Sequence, residues 1–336
     1  MRPVRSFTKT ADKVFTMVTG LCASSPIVFL VVIALMVLVQ AIPTLRLMGW
    51  KFITQTEWNF GSLYGTMQHI HGVMVPAGAT YGALVFIVGT LASSVIAIVI
   101  AVPISILTAV ILAYQVRGRL QLSLSILVEL LAGIPSVIFG LWGMVVLAPW
   151  MQHSLGPLLI HIGTVIPYFK GPVGTGMGLL TSGIVLALMI VPIITATTRD
   201  LLQQVPTLYR EGGLGVGMTT WEVVRLICLP YVKDGMVGAV ALGWGRAMGE
   251  TMAVLMVSGN ATNHLPQNIY SPTATMASTI ASKLDSALGD ASKMGVHALA
   301  ELALLLMVLT LFTNLLARWL VSRTGRGRRM RVKVSA

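Results

Sequence analysis

Long stretches without a charged residue constrain this chain more than any other feature of its sequence. Five of them cover residues 14–45, 58–116, 130–169, 171–198 and 251–282. Several exceed the roughly 20 apolar residues that a helix needs to cross the hydrocarbon core of a bilayer. Charged residues make up 10% of the chain, whereas soluble domains contain about 25%. We therefore expect an all-α integral membrane protein.

Six membrane spans are predicted when turns between the apolar runs are allowed for. They lie near 18–42, 84–113, 124–148, 175–197, 235–258 and 297–320. The first follows a basic stretch, as in a signal peptide, but its charge-free run is longer than the 7–15 residues of a signal peptide's apolar region. We treat it as an uncleaved anchor. The prediction is a six-span helical bundle over 18–320, with a basic N-terminus at 1–17 and a basic tail at 321–336.

The distribution of basic residues predicts the orientation of the bundle. Segments 1–13, 114–123, 198–234 and 318–336 together contain 17 Lys or Arg, whereas the alternate segments 43–83, 149–174 and 259–296 contain 5. Basic loops stay on the cytoplasmic side, so both termini and the loop 198–234 are expected there. Because the basic tail follows a span, we interpret it as a topology anchor against membrane lipid and expect no nucleic-acid binding.

Three segments on the opposite side carry further expectations. Segment 149–174 is too short to cross the membrane again and is expected to be re-entrant or to lie on the surface. Residues 271–288 are expected to form an external amphipathic helix after Pro272. Segment 43–83 contains amphipathic aromatic rings that are expected at headgroup level, namely Trp50, Trp58, Tyr64 and Tyr81.

A polar insert from Glu211 to Pro230 separates two long apolar segments and is predicted to form two short helices. Thr219 and Glu222 have the spacing of a capping box, which begins the second helix. Pro230 is expected to end that helix, because the residue before a proline avoids helical geometry. Between the helices a tight turn is expected from four glycines, namely Gly212, Gly213, Gly215 and Gly217. Such a helix–turn–helix at a membrane surface is suited to docking another protein.

Two charges are predicted inside the fifth span. Arg246 lies near its middle and Glu250 follows one turn later. Each charge at the bilayer centre costs about 2.5–3.5 kcal/mol, so neither is expected to face lipid. The i, i+4 spacing places them on one helix face, where they can partly neutralise each other. They either form a structural ion pair or line a solute route, where arginine offers a planar fork for an oxyanion.

The sequence contains no pattern that indicates catalysis. No Ser-His-Asp spacing, HExxH motif or P-loop is visible, and Cys22 and Cys228 suggest no disulfide framework. Glu129 and Glu301 lie near the ends of predicted spans, where a carboxylate reaches water. His297 precedes Glu301 by one turn, so a local hydrogen bond between them is expected. We predict a transport subunit without a catalytic site, cofactor or metal of its own.

Two other classes of protein remain open at this point. An ion-coupled secondary transporter or channel would use Arg246, Glu250 and Glu301 to relay protons, but it leaves the helix–turn–helix unexplained. A membrane-bound enzyme or signalling subunit would need a catalytic cluster, which the sequence lacks.

The polar insert resembles the EAA loop of bacterial ABC importer permeases. From Glu211 the pattern E-G-G-x3-G-x9-I-x-L-P is complete, with glycine at 212 and 213 where the usual pattern has alanine. Further stretches resemble the phosphate (Pst) family, and most closely its PstC subunits. They are YGALVFIVGTLASSVIAIVIAVPIS, VELLAGIPSVIFGLWG, MIVPIITATTRD and LGWGRAMGETMAV, and with the loop they span about residues 60–260.

The resemblance implies a type I ABC importer permease in the bacterial cytoplasmic (inner) membrane, working by alternating access on inorganic phosphate. It implies a homologous second permease subunit (PstA-like), two ATPase subunits (PstB-like) that bind ATP and Mg, and an external phosphate-binding protein (PstS-like). Coupling to the ATPase is implied for Glu211, Gly212, Gly213 and Gly217, and the substrate pathway for Arg246 and Glu250. An importer of another oxyanion, such as sulfate or molybdate, is the nearest alternative.

Overall fold

The computed structural model describes residues 5–61, 67–70, 73–163, 166–290 and 292–325. Its helices are α1 (Arg5–Met48), α2 (Lys51–Thr54), α3 (Leu84–Val110), α4 (Gly118–Ala132), α5 (Ser136–Trp142), α6 (Ala148–Trp150), α7 (Gly156–Ile162), α8 (Leu179–Gln203), α9 (Thr207–Gly215), α10 (Thr220–Val223), α11 (Leu229–Gly249), α12 (Met252–Val257), α13 (Met276–Leu288) and α14 (Met294–Gly325). Two antiparallel strand pairs are formed by β1 (Trp58–Asn59) with β4 (Thr80–Tyr81) and by β2 (Met67–Ile70) with β3 (Val73–Pro76).

Five helical stretches are long and apolar enough to cross a membrane. They are Ala11–Met48, Leu84–Gln115, Leu179–Gln203, Thr220–Gly249 and Met294–Trp319. A sixth span results if Gly118–Ala132 and Ser136–His161, which meet at 90°, are counted as one. The described chain is therefore an α-helical bundle of the expected class, with two small strand pairs as its other regular structure.

The bundle has two ends, which we name after helices that lie there. The α9 end carries α9, α10 and the last turns of α3 and α8. The α13 end carries α2, the strands, α12 and α13, and the first turns of α3, α8 and α14. This division follows from hydrogen bonds such as Leu179 N–H to the Ser271 carbonyl (3.1 Å) at the α13 end and the Tyr114 hydroxyl to the Leu202 carbonyl (2.7 Å) at the α9 end.

The third predicted span, 124–148, is not one straight helix. α4 ends at Ala132 and α5 begins at Ser136, with an extended backbone at Pro135 (ψ 137°) that produces the 90° bend. The ring of Pro135 disfavours helical geometry at the preceding residue, which explains the break. Beyond it the helix does not stop at 148. It continues to Ile162 through two π-helical turns, so much of the segment 149–174 extends this helix instead of forming a separate piece.

The helix observed at the fifth predicted span, 235–258, begins earlier and ends earlier than predicted. The helix begins at Thr220 and passes through a π-helical turn, Val224–Cys228, directly into α11. The prediction that it stops before Pro230 was wrong: the helix continues through this proline, as α3 does at Pro103 and α8 at Pro192. At the other end the helix stops at Gly249. Glu250 is extended (φ −71°, ψ 128°) and α12 follows.

Helix α8 is the most buried span and packs between α3 and α11. Its contact with α3 is close because small side chains recur on one face of α3 at intervals of about four residues, at Ser93, Ala97, Ala101, Ser105 and Ala109. Small residues allow helices to approach closely within a membrane. The Ser105 hydroxyl also donates a 3.2 Å hydrogen bond to the carbonyl of Val191. α3, α8 and α11 thus form the centre of the bundle.

Aromatic residues at the α13 end form a buried cluster. Trp58 is 5% exposed and Tyr81 is fully buried, so both rings pack within the chain, and their position at headgroup level stays a prediction. Pairing of β1 with β4 brings the two rings to 5.5 Å, and Phe52 and Phe86 contact Trp58 edge to face. Burial, aided by the charge of Asp290, raises the pKa of Tyr81. Trp50 is exposed, and Tyr64 lies outside the described residues.

The helix predicted within 271–288 is present as α13. It begins after a capping box in which Thr275 accepts from the backbone N–H of Ser278. The N–H of Met276 donates to the Thr90 hydroxyl of α3 at 3.0 Å. The first turn of α13 is thereby fixed to the bundle.

Candidate functional site

The polar insert folds as the predicted helix–turn–helix. α9 ends at Gly215, the chain turns, and α10 begins at Thr220. The capping box is confirmed: the Thr219 hydroxyl accepts from the Glu222 N–H at 3.3 Å, and the Glu222 carboxylate accepts from the Thr219 N–H at 2.7 Å. These paired bonds satisfy two backbone donors that a helix start otherwise leaves free. The angle between the helices is therefore locally defined.

The four glycines of the insert do not share one role. Gly217 alone adopts a left-handed conformation (φ +91°) and makes the turn, whereas Gly212, Gly213 and Gly215 lie within α9. At Gly213 a Cβ atom would lie 2.8–2.9 Å from side-chain atoms of Ile227 and Val223, while at Gly212 it would meet nothing within 4 Å. The expectation that all four form the turn is corrected. Gly213 instead permits close packing of α9.

Aromatic contacts join helix α9 to the ends of two spans, α3 and α11. The guanidinium carbon of Arg210 lies 4.4 Å from the ring centre of Tyr114, just beyond α3. The hydroxyl of Tyr114 in turn donates to the carbonyl of Leu202 near the end of α8 at 2.7 Å. The rings of Tyr209 and Tyr231 lie 5.7 Å apart and join α9 to α11. α9 thus contacts the ends of α3 and α11 directly and is linked to α8 through Tyr114.

The outer surface of this helix–turn–helix is uncovered by the rest of the described chain. Glu211 and Gly212 are exposed. Large apolar side chains around them are also exposed, namely Leu208, Leu214, Val216 and Trp221. Exposed apolar groups beside a carboxylate are typical of a protein–protein contact surface. This surface is what the sequence predicted for protein docking.

Arg246 lies on a face of α11 that no other described element covers. Exposed residues follow one another along this face at intervals of three or four, at Gly238, Leu242, Arg246 and Gly249. The other faces are closely packed: a Cβ at Gly243 would lie 2.9 Å from Ile194 of α8, and one at Gly245 would lie 3.4 Å from Asn314 of α14. α11 therefore has two covered faces and one free face, and the arginine is on the free one.

The expected pairing of Arg246 with Glu250 is not formed. The salt bridges of the described residues do not include either side chain. Because α11 ends at Gly249 and Glu250 is extended, the carboxylate leaves the helix face on which i, i+4 pairing operates. The two charges stay near each other in sequence, at a helix break, but each is free to meet another group.

A buried arginine near the α9 end was missed by the sequence reasoning. Arg199 of α8 is 7% exposed and binds Glu129 of α4 through Nη2 at 2.9 Å and Asp200 at 2.7 Å. The Nη1 atom is buried without a partner in the described chain. Gln121 and Gln203 help line the adjoining polar cavity of about 380 Å³. Arg199 ends the charge-free run 171–198 and lies in the stretch MIVPIITATTRD, but neither feature indicates a buried ion pair.

The other acidic residues near span ends also differ from expectation. The Glu129 side chain is 57% exposed, so it reaches solvent as expected, but it pairs with Arg199. Glu301 is 4% exposed and does not reach water. His297 does not bond to Glu301, because its Nδ1 donates to the carbonyl of Gln40 on α1 at 2.8 Å.

Comparisons with known proteins identify the family. Residues 101–326 match the family described as binding-protein-dependent transport system inner membrane component. Phosphate transport system permease protein PstC 1 of Mycobacterium tuberculosis is 48% identical over 310 residues, which is 91% of this chain and 92% of the relative. The chain belongs to the PstC family. The PstC of Mesorhizobium japonicum is 38% identical and that of Haemophilus influenzae 36%, and the matches cover 92–95% of each chain.

Membership of the PstC family confirms the resemblance drawn from the sequence and the expected class of ABC importer permease. The MetNI methionine ABC transporter, solved in inward-facing conformations, is a structural neighbour with a TM-score of 0.49 and 19% identity, covering 73% of this chain and 95% of the other. A second crystal form gives a TM-score of 0.48. Both the α9 surface and Arg246 lie within the part that matches the inner membrane component family.

Proposed function

We propose that this chain is the permease subunit of an ATP-driven importer of inorganic phosphate and forms half of its translocation pathway. Its PstC relatives are named phosphate transport system permease proteins, and its helices are suited to a bacterial inner membrane. The charge distribution favours both termini and α9 on the cytoplasmic side. ATP and Mg are bound by a partner ATPase, so this subunit needs no catalytic site of its own.

The observation that carries the coupling proposal is the arrangement of α9. Its outer surface, with Glu211, is exposed. Its residues contact Tyr114, just beyond α3, and Tyr231 of α11, and Tyr114 in turn bonds to Leu202 of α8. A PstB-like ATPase docks on the outer surface. When ATP closes the ATPase dimer, α9 moves as a rigid lever and carries three span ends with it. Gly217 and the capping box hold the lever in a fixed shape.

Arg246 supplies the charge that phosphate needs within the membrane. An arginine in a span is costly unless it faces water or a polar partner, and no described residue pairs with it. A homologous second subunit (PstA-like) covers the free face of α11, leaving a path that Arg246 lines. Its planar guanidinium suits a phosphate oxyanion. Glu250, at the helix break, weakens this attraction so that the anion is released.

Transport then proceeds by alternating access. A PstS-like protein delivers phosphate at the α13 end while the pathway is open to that side. ATP hydrolysis returns α9 to its other position and opens the pathway towards the cytoplasm. Phosphate is an anion at neutral pH, so each step keeps it near the positive charge of Arg246.

Uptake into liposomes tests the proposal. The chain is co-expressed with its partner subunits, the complex is reconstituted, and labelled phosphate uptake is measured with and without ATP and with excess sulfate. We expect uptake that requires ATP and resists sulfate. Uptake inhibited by sulfate would indicate a broader oxyanion importer, and uptake that survives ATP depletion but not loss of the proton gradient would indicate an ion-coupled transporter.

A further inference from the structure

A second cavity lies at the α13 end, away from both α9 and Arg246. It has a volume of about 400 Å³ and separates the end of α1 and α2 from α14. Its walls are mainly apolar, with Leu45, Trp50 and Ile53 on one side and Leu304, Leu305 and Val308 on the other. Glu301 is its one charged lining residue. The proposed transport cycle makes no use of it.

Glu301 lacks a hydrogen-bond partner within the described chain. The residue is 4% exposed, and its Oε2 atom is buried and unpaired. The nearest polar neighbour on the same helix face, His297, bonds to α1 instead. A buried carboxyl group without a partner is costly, because it has lost water and gained no donor. A donor from outside the described residues would therefore complete this site.

The position of the cavity indicates what kind of molecule that is. Trp50, one of the lining residues, is 83% exposed, and exposed tryptophans of membrane proteins are enriched at headgroup level. Val308 lies two turns beyond Glu301 on α14, about 10 Å further along the helix axis at 1.5 Å per residue. The cavity thus combines an exposed tryptophan, a buried carboxyl group and apolar residues along two turns of α14.

We propose that this cavity binds a phospholipid whose headgroup carries a primary ammonium. The ammonium donates hydrogen bonds to the Glu301 carboxylate, and an acyl chain lies along Leu304, Leu305 and Val308. A primary ammonium has three N–H donors and a charge opposite to that of the carboxylate. A quaternary ammonium has the same charge but no donor, and a glycerol headgroup has hydroxyl donors but no positive charge.

Native mass spectrometry of the purified four-subunit complex tests the proposal. The probes are phosphatidylethanolamine, phosphatidylcholine and phosphatidylglycerol with identical acyl chains, offered in equal amounts. We expect phosphatidylethanolamine to be retained about tenfold over phosphatidylcholine, as a charge-assisted hydrogen bond provides. In Glu301→Gln that ratio should fall to about one tenth of its value. Asp285→Asn, which removes an exposed carboxylate of α13, should leave it unchanged.

A second variant separates the site from the assembly of the complex. Leu304→Trp fills the cavity and keeps the carboxyl group, so it should reduce retention of all three lipids, and it tests the site even if Glu301→Gln does not assemble. An unchanged lipid preference in Glu301→Gln would overturn the proposal. Equal retention of phosphatidylglycerol by the wild type would also overturn it, as would a basic side chain of the second permease subunit found at Glu301.

Discussion

Two adjacent glycines in α9 have very different surroundings, which decide whether a larger side chain would fit. Gly212 faces open space and Gly213 faces Ile227 and Val223 at 2.8–2.9 Å. The usual EAA pattern has alanine at both positions. The side chains of Ile227 and Val223 lie against the second position, and glycine there makes room for them.

Alanine substitutions should therefore have opposite effects at the two positions. Gly212→Ala should stabilise α9 by about 0.5–1 kcal/mol, because alanine loses less backbone entropy in a helix. Gly213→Ala should destabilise the α9 end by about 1–3 kcal/mol through overpacking. Thermal unfolding of the purified complex measures both. Equal shifts in the same direction would contradict the packing described for Gly213.

Two substitutions of Arg246 separate the effect of its positive charge on phosphate uptake from the effect of its planar guanidinium. Arg246→Ala should lower phosphate uptake at least about tenfold, as loss of a charged hydrogen bond worth about 1.5–3 kcal/mol requires, while the complex still assembles. Arg246→Lys should retain part of the uptake, because it keeps the charge and loses the planar fork. Lys233→Ala, on an exposed position of the same helix, is the control. Normal uptake by Arg246→Ala would exclude a role in the pathway.

At the scale of elements, α9 depends on its contacts with neighbouring helix ends. The Tyr114 hydroxyl joins the end of α3 to α8, and its ring receives Arg210 of α9. Tyr114→Phe keeps the ring and removes one hydrogen bond, worth about 1 kcal/mol. We expect less phosphate transported per ATP hydrolysed, with the ATPase rate retained. Tyr209→Phe, whose ring is half exposed, should leave this ratio unchanged, and equal losses in both variants would refute the special role of Tyr114.

The contact between α4 and α8 should depend more on the buried arginine than on its exposed partner. Glu129→Gln removes a half-exposed charge and should cost about 0–1 kcal/mol, as for other solvent-screened pairs. Arg199→Met leaves Glu129 and Asp200 together without their cation and should cost more, up to about 3 kcal/mol. The melting temperatures of the two complexes test this order. A larger loss in Glu129→Gln would contradict it.

Helix breaks show where local sequence signals succeed and fail. The capping box of Thr219 and Glu222 was predictable because both partners lie within one turn. The effect of a proline on a helix was not predictable. Pro135 lies at a helix break where the chain bends by 90°, whereas at Pro230 the helix continues after a π-helical turn. That turn depends on the packing of Val224 and Cys228 in the core at the α9 end, which no local pattern records.

For the whole molecule, the charge-free runs were sufficient to predict a helical membrane bundle, and the loop pattern led to the family. The pairing of Arg199 with Glu129 was not predictable, since they are 70 residues apart with helices α5, α6 and α7 between them. Nor was the burial of Glu301, because it depends on how α1 packs against α14. The orientation of the bundle and the roles of Glu211, Arg246 and Glu250 stay predictions.

The account rests on α9 as the part that couples ATP hydrolysis to movement of the spans. The most direct measurement compares Glu211→Ala with the wild-type complex in liposomes, recording phosphate uptake and ATP hydrolysis together. Asp12→Asn, an exposed carboxylate of α1, serves as the control. We predict that Glu211→Ala loses most ATP-dependent uptake while Asp12→Asn keeps it. Unchanged uptake and hydrolysis in Glu211→Ala would contradict the account.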